Sequence, residues 1–210
     1  MKIIAIGAHP DDIEYGCGGT LLRCSQAGYD INLLVMTRGD MGGDPDMRQK
    51  EQEQAAAELK AKVYWGRFTD TQVSLHKDTI NTMEFFIKKI CPDIIFVMHP
   101  NDTHQDHRVT AQATVTATRY IQNVLFYEVP SSVDFSPASV YCDINAVLEK
   151  KIKLLRCHAS QVNATRVPRV TILEMAKATA LFRGVQNRVK YAEAFVPLRL
   201  SLDHIGVFKK

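Results

Sequence analysis

The sequence lacks a regular cysteine pattern, a long apolar run and an excess of charge of one sign. Its five cysteines form no C-x-x-C pair, which argues against a disulfide framework and against a cysteine zinc site. No apolar stretch reaches membrane-spanning length, and the first residues do not follow the charged, apolar and small-residue order of a signal peptide. We therefore expect a protein of the reducing cytoplasm with no membrane span.

The balance of charge gives no indication of nucleic-acid binding. The 26 basic and 23 acidic residues give a formal net charge of +3, and they are spread along the chain, so no basic patch favours a nucleic-acid partner. The basic cluster at Lys150, Lys151 and Lys153 is interpreted as the solvated face of a helix. With 46% hydrophobic residues, the 210-residue chain can bury a core, and we expect a single domain over residues 1–210.

Apolar runs alternate with helical patterns along the chain. Strands are predicted at 3–6, 31–36, 63–68, 94–98, 124–129 and 191–200, and helices at 20–27, 48–60, 78–90, 109–120, 146–157 and 170–182. Glycines predict a turn at 16–19, a loop at 39–47 and the end of the last helix at Gly184. This order predicts an α/β fold with a Rossmann-like open, mainly parallel sheet and helices on both faces.

Polar, metal-competent side chains follow two of the predicted strands. They are His9, Asp11 and Asp12 after the first strand, and His104, Asp106 and His107 after the strand at 94–98. In an open parallel sheet, ligands bind beyond the carboxyl ends of the strands, where the strand order reverses. We therefore expect the two clusters to meet at one edge of the sheet.

Two imidazoles and one carboxylate, from His9, Asp12 and His107, match the ligand set of a catalytic zinc site that keeps a place for water. The same set could hold ferrous iron. Asp11 would then be free to act as general base on the metal-bound water.

The second cluster supplies the remaining predicted roles. His104 could act as general acid or electrostatic stabiliser, with Asp106 holding its tautomer. Each residue has a structural alternative when taken singly, since Asp12 could cap the following helix. Taken together they favour a metal, because several carboxylates would otherwise be brought together with nothing to offset their repulsion.

These residues resemble the PIG-L or LmbE-like de-N-acetylases, metal-dependent enzymes that remove acetyl groups from N-acetylglucosamine derivatives. The resemblance rests on motifs that run nearly end to end. They are AHPDDIE at 8–14 with GCGGT at 16–20, HQDH at 104–107, Arg48 with Glu51 and Ala55, YEVP at 127–130, and YAEAF at 191–195. Gln105 stands where many relatives have proline.

The resemblance implies the roles reached from the residues: His9, Asp12 and His107 as zinc ligands, Asp11 as general base, and His104 as the partner of the tetrahedral intermediate, oriented by Asp106. It further implies that Arg48 binds substrate, although Arg48 could equally be an exposed residue at a helix start. It implies an acetamido-sugar conjugate as substrate, with zinc-activated water attacking the amide carbonyl, and a homo-oligomeric assembly.

Two alternatives from other classes remain. A dinucleotide-binding module would use the strand, the glycine turn and Asp40, but the glycines do not read G-x-G-x-x-G and two aspartates would face a pyrophosphate. A non-catalytic metal-binding protein is the other, and the presence of Asp11 beside the ligands argues against it. His99 is expected to pack at its strand end, and His76, His158 and His204, which lack a partner at ligand spacing, are interpreted as structural or surface residues.

Overall fold

One seven-stranded sheet with helices on both faces forms the fold in the computed structural model, which describes residues 1–201 and 203. The strands are β1 (Lys2–Gly7), β2 (Asp30–Thr37), β3 (Lys62–Phe68), β4 (Ile94–Met98), β5 (Val124–Tyr127), β6 (Val140–Asp143) and β7 (Ala192–Arg199). The α-helices are α1 (Asp12–Gln26), α2 (Pro45–Leu59), α3 (Lys77–Ile90), α4 (Gln105–Ala117), α5 (Leu148–Cys157) and α6 (Ile172–Gln186).

The order of the strands is β3-β2-β1-β4-β5-β7-β6. The first five strands of this order are parallel, whereas β7 runs antiparallel to β5 and β6 antiparallel to β7. The predicted α/β class with an open, mainly parallel sheet is confirmed. The direction of the order reverses between β1 and β4, and the crevice beyond the carboxyl ends of those two strands is where such folds bind ligands.

The two strands at this reversal lie in the buried core. Ile3, Ile4, Ala5 and Ile6 of β1 are fully buried, because the strand pairs with β2 on one side and β4 on the other while helices cover both faces. Four of the five residues of β4 are buried as well. Side chains that follow these strands are therefore carried by a rigid support.

The predicted glycine turn at 16–19 is wrong, because α1 begins directly at Asp12 and contains these glycines. Two of them, Gly16 and Gly19, are needed for close packing. A Cβ at Gly16 would overlap the ring of Tyr127, and one at Gly19 would lie 2.8 Å from Cγ2 of Ile144. Without a glycine turn, the chain lacks the phosphate-binding element on which the dinucleotide alternative depends.

Other helix boundaries also differ from the predictions. α2 begins at Pro45, because Asp44 accepts hydrogen bonds from two backbone N–H groups of the first turn. α4 begins at Gln105, so that His107 lies in its first turn. Gly184 does not end α6 but lies inside it, where a Cβ would overlap the backbone of Lys190.

The interpretation of Lys151 as a solvated residue is wrong. Its side chain is 4% exposed, and Nζ donates to Oε1 of Glu193 at 2.6 Å and to the Tyr15 carbonyl. Glu193 also accepts from the backbone N–H groups of Gly19 and Thr20. This buried ion pair ties α5 and β7 to the middle of α1, the helix that follows the first polar cluster.

The strand β6 was not predicted from the sequence. It has only four residues, all half-buried, and no clear alternation in its sequence.

Among the described residues, no helix has both the length and the apolar character needed to cross a bilayer.

We expect Gly16→Ala to lower the free energy of unfolding by about 1–3 kcal/mol, because the new methyl group would overpack against Tyr127. Gly18→Ala is the matched control: the nearest atom to its Cβ, Cδ1 of Leu154, is 3.5 Å away. Since alanine favours a helix over glycine, this control should be neutral or stabilising by up to about 1 kcal/mol. Urea unfolding midpoints measure both. Equal effects of the two substitutions would contradict the packing account.

Candidate functional site

The two predicted polar clusters meet at the carboxyl ends of β1 and β4. His9 lies between the end of β1 and the start of α1, while His104 caps α4 and His107 lies in its first turn. The His9 and His104 ring centroids are 4.7 Å apart, and the His104 and His107 rings are stacked at 4.7 Å. The parallel pairing of β1 with β4 therefore joins segments almost a hundred residues apart.

The three predicted metal ligands form a small triangle of donor atoms. Nδ1 of His9 lies 3.2 Å from Nε2 of His107. Of the two Asp12 carboxylate oxygens, Oδ2 lies 3.5 Å from Nδ1 of His9 and Oδ1 lies 3.5 Å from Nε2 of His107. Zinc bonds of 2.0–2.2 Å in a tetrahedral arrangement place ligand atoms roughly 3.3–3.6 Å apart. All three side chains are buried. The donor set therefore fits a divalent cation, zinc or ferrous iron alike.

Each of the two ligand histidines turns its other ring nitrogen to a carboxylate. Nε2 of His9 lies 2.9 Å from Oδ1 of Asp70, and Nδ1 of His107 lies 3.2 Å from Oδ2 of Asp102. Histidines that bind metals almost always carry such a partner, which fixes the tautomer and the ring orientation. With these nitrogens occupied, the nitrogens that face each other are left for a cation.

Neither Asp70 nor Asp102 was predicted as a site residue. Asp70 lies two residues after β3, a third strand that ends at the same edge of the sheet. It also accepts from the Met41 backbone N–H. Asp102 follows β4 and accepts from the His104 backbone N–H. The rule that placed the other residues, a polar side chain just past a strand, would have identified both.

Other metal-competent groupings overlap with this triangle. His9, His104 and His107 offer ring nitrogens within 4.8 Å of one another, and so do donor atoms of His9, Asp70 and Asp106. We favour the triangle with Asp12 over the grouping of His9, Asp70 and Asp106. In that grouping the two carboxylates approach Nε2 of His9, the nitrogen that points away from His107.

The site holds a surplus of carboxylates. Burial lowers the pKa of His9, but Asp106, Asp12 and Asp70 outweigh it and raise the pKa well above its ordinary value. Burial raises the pKa of Asp70, but His9 holds it at about 2. Charges of both signs are thus stabilised here, and the excess is negative, which favours a bound cation.

Asp11 has a strained backbone and a perturbed carboxyl group. Its φ of 92° lies in the left-handed region that residues other than glycine avoid, and such strain is typical of functional sites. Burial, followed by the charge of Asp12, raises its pKa to about 6. A carboxyl group that titrates this close to neutrality is suited to proton transfer.

The geometry around His104 differs from the predicted one. Nδ1 of His104 accepts from the backbone N–H of Asp106 at 3.2 Å. The Asp106 carboxylate instead accepts from the Thr71 N–H at 2.7 Å and lies 3.4 Å from Nε2 of His9. Asp106 therefore contacts His104 through its backbone N–H and not through its carboxylate. In the neutral ring the backbone bond leaves the proton on Nε2 of His104.

Arg48 is 5% exposed, so the alternative of an exposed residue at a helix start is wrong. Its guanidinium donates to the carbonyls of Gly39 and Pro10, and Nη2 lies 3.8 Å from Oδ2 of Asp11. These bonds join the loop after β2 to the loop after β1. Arg48 also lines the cavity over the site, where substrate contact stays a prediction.

The cavity over the site has a volume of about 440 Å³ and is lined by His9, Asp11, Met41, Gly42, Arg48, Asp70, Thr71, His104, Gln161 and Arg166. A larger cavity of about 550 Å³ lies at the end of β3, against Trp65 and Arg67, and contains none of the predicted site residues. We assign function to the first cavity, because only it exposes the perturbed titratable groups.

The remaining histidines are mostly structural. As expected, His99 packs at its strand end, against the rings of Phe126 and Phe135. His158 is buried, as a structural residue would be, and its Nε2 lies 3.3 Å from the carboxylate of Glu14, which is distant in sequence. His204 lies outside the described residues.

Known proteins similar to this chain share its site-bearing half or its whole fold. The family model described as PIG-L: GlcNAc-PI de-N-acetylase matches residues 4–118, more than half of the chain. The chain is 36% identical over 167 residues to the uncharacterized deacetylase YaiS of Escherichia coli K12, which covers 75% of this chain and 90% of that protein.

Two further relatives extend the comparison. The diacetylchitobiose deacetylase of Thermococcus kodakarensis is 26% identical over 228 residues, covering 93% of this chain and 83% of that protein. The crystal structure of the conserved protein TT1542 from Thermus thermophilus superposes with a TM-score of 0.85 at 24% identity, with 99% of each chain covered. This last likeness shows the fold alone.

We expect Asp70→Asn and Asp102→Asn each to weaken metal affinity by about 10–100-fold, because each removes the carboxylate that orients a ligand histidine. Titration against a competing chelator measures the affinity. Asp46→Asn, at an exposed carboxylate paired with Arg38, is the matched control and should leave the affinity unchanged. Unchanged affinity in both test variants would contradict the assigned geometry.

Proposed function

Since the chain belongs to the PIG-L (GlcNAc-PI de-N-acetylase) family of deacetylases, we propose that it is a metal-dependent hydrolase that removes the acetyl group from an N-acetylglucosamine-type substrate. The observation that carries the proposal is the triangle of His9, Asp12 and His107 donor atoms, with both histidines backed by aspartates. The diacetylchitobiose deacetylase among the relatives supports an acetamido sugar as substrate.

In this proposal His9, Asp12 and His107 hold the cation. A divalent cation in such a site supplies Lewis-acid chemistry: it polarises a carbonyl and makes water acidic enough to act as a nucleophile at neutral pH. Zinc is the metal that we propose, and ferrous iron suits the same ligands.

Asp11 is the general base. It follows the metal ligand His9 by two positions, borders the cavity and is linked electrostatically to Arg48, while burial raises its pKa to about 6. It accepts the proton from the water that attacks the amide carbonyl carbon. Its strained backbone conformation lies directly between the metal ligand His9 and α1, which begins at the ligand Asp12.

His104 acts on the other side of the carbonyl. Because the Asp106 N–H holds Nδ1, the Nε2–H group is available as a donor to the oxyanion that develops when water adds. As the carbon–nitrogen bond breaks, the nitrogen takes the proton that Asp11 accepted from the water, which gives an amine and a carboxylic acid. Transfer of the acid's proton to the amine then gives the carboxylate and the protonated amine that leave. Burial and the nearby His9 and His107 lower the pKa of His104, which favours the neutral donor.

The open cavity would hold the sugar. Arg48, Thr71, Gln161 and Arg166 line it with hydrogen-bond donors suited to hydroxyl groups. We further expect the protein to act in the cytoplasm as a homo-oligomer on a small acetamido-sugar conjugate.

Asp11→Asn should lower kcat for acetate release by at least about 10²–10⁴-fold, because the general base is lost, while the bound metal stays. His107→Ala should lose both metal and activity, because a ligand is removed. Metal content by elemental analysis is measured beside acetate release. Full activity of purified Asp11→Asn would contradict the role of Asp11.

A panel of N-acetylglucosamine conjugates that differ in the group at the anomeric carbon tests the reaction itself. The metal-loaded protein should release acetate from at least one of them, lose activity with a chelator and regain it on metal add-back. If metal binds but no member of the panel releases acetate, the proposal is contradicted in favour of a non-catalytic metal-binding protein.

A further inference from the structure

A second, smaller cavity adjoins the cavity over the site. Its volume is about 110 Å³, and Asp11 and Gln161 border both cavities. The other walls include Pro130, Ala164, Ile172 and Met175. The proposed general base thus stands at the junction of the two spaces.

The two cavities differ in chemical character. Arg48, Asp70 and His104 give the larger cavity charged and hydrogen-bonding walls. Pro130, Ala164, Ile172 and Met175 give the smaller one a mainly apolar lining. A substrate amide divides in the same way, into a sugar rich in hydroxyls on the nitrogen side and an acyl chain on the carbonyl side. Burying hydroxyls against apolar walls costs free energy, whereas burying an acyl chain there gains it.

The position of the reaction fixes where these two halves meet. The carbonyl carbon must lie beside Asp11, because Asp11 takes the proton from the water that attacks it. From that point the larger cavity, of about 440 Å³, suits the sugar better than the smaller one, of about 110 Å³, because its polar walls can pair with the hydroxyl groups.

We propose that the smaller cavity, the acyl pocket formed by Pro130, Ala164, Ile172 and Met175, receives the acyl group of the substrate, and that it admits chains longer than acetyl. The proposal rests on the amide hydrolysis argued above. A methyl group leaves most of the acyl pocket unfilled. Each further methylene that it buries should improve binding by about fourfold.

Hydrogen bonds fix the side of the acyl pocket that α6 provides, whereas Pro130 and Ala164 form its solvent-exposed rim. Thr171 and Glu174 form a capping box at the start of α6, and the Ile172 N–H donates to the Val162 carbonyl at 3.0 Å. Ile172 and Met175 are three apart and share one face of the helix. Met175 is flexible and can adjust to chains of different length.

Apart from Asp11, the residues that line the acyl pocket also lie outside the part of the chain that the family model matches. The four wall residues of the acyl pocket all follow residue 118, where the family match ends, whereas the metal triangle and Asp11 precede it. Chain-length preference can therefore be a property of this protein's C-terminal segment, separate from the shared hydrolytic centre.

The test compares methyl glycosides of glucosamine N-acylated with acetyl, propionyl, butyryl or hexanoyl groups, using the metal-loaded protein. We expect propionyl and butyryl substrates to have kcat/KM values at least equal to that of acetyl. Ala164→Leu, which fills the acyl pocket, should lower the butyryl-to-acetyl ratio at least tenfold. Met175→Ala should raise the hexanoyl-to-acetyl ratio of kcat/KM. Met41→Ala, at the wall of the larger cavity, is the matched control and should leave these ratios unchanged.

The outcomes separate the two proposals. If wild type releases acetate but prefers it over longer acyl groups by tenfold or more, or if Ala164→Leu and Met175→Ala leave the ratios unchanged, the acyl pocket is wrong while the hydrolase stands. If no N-acyl substrate is cleaved, the hydrolase is wrong. Calorimetry of the same glycosides with metal-loaded Asp11→Asn then tests the acyl pocket by itself. The acyl pocket predicts that affinity rises with the length of the acyl chain and that adding Ala164→Leu abolishes this rise.

Discussion

Electrostatic repulsion among carboxylates is the constraint on which the site depends. Five aspartates converge around three imidazoles at one edge of the sheet, and most of them are buried: Asp11, Asp12, Asp70, Asp102 and Asp106. Buried like charges are expensive unless cations offset them. In the protein alone, the aspartates raise the pKa values of His9 and His107 against the effect of burial. A divalent cation between these rings would offset the negative charge of the aspartates while the ligand histidines stay neutral.

Contacts behind the site keep its loops in place. Arg48 bonds the Gly39 and Pro10 carbonyls and so joins the loops after β2 and β1. The Lys151 and Glu193 pair fixes the middle of α1 from the other side. Asp11 has a φ of 92°, a conformation that costs about 1–3 kcal/mol and persists only where the surroundings enforce it. The close packing of Gly16 on Tyr127 is part of that enforcement, because it sets how deeply α1 sits on the sheet.

The site residues whose positions could be predicted from the sequence are those that closely follow the end of a strand. His9, Asp12 and His107 follow two apolar runs, and parallel strands bring such ends together, so their meeting needed no long-range information. Asp70 was missed because it is a single acidic residue after a half-buried strand. The packing of Gly16 and the burial of Lys151 depend on Tyr127 and Glu193, partners distant in sequence that no local pattern indicates. The Asp106 carboxylate was assigned to His104 by proximity in sequence, whereas the helix start at Gln105 directs it to His9 and Thr71.

The central claim is that His9, Asp12 and His107 together hold one divalent cation. X-ray absorption spectroscopy at the zinc edge of the zinc-loaded protein tests it most directly. The account predicts two imidazole nitrogens at about 2.0–2.1 Å, oxygen ligands at about 2.0–2.2 Å and no sulfur scatterer, and it predicts that His107→Ala gives no such spectrum because it does not retain the zinc. A sulfur shell at about 2.3 Å, or a zinc spectrum that His107→Ala leaves unchanged, would contradict it.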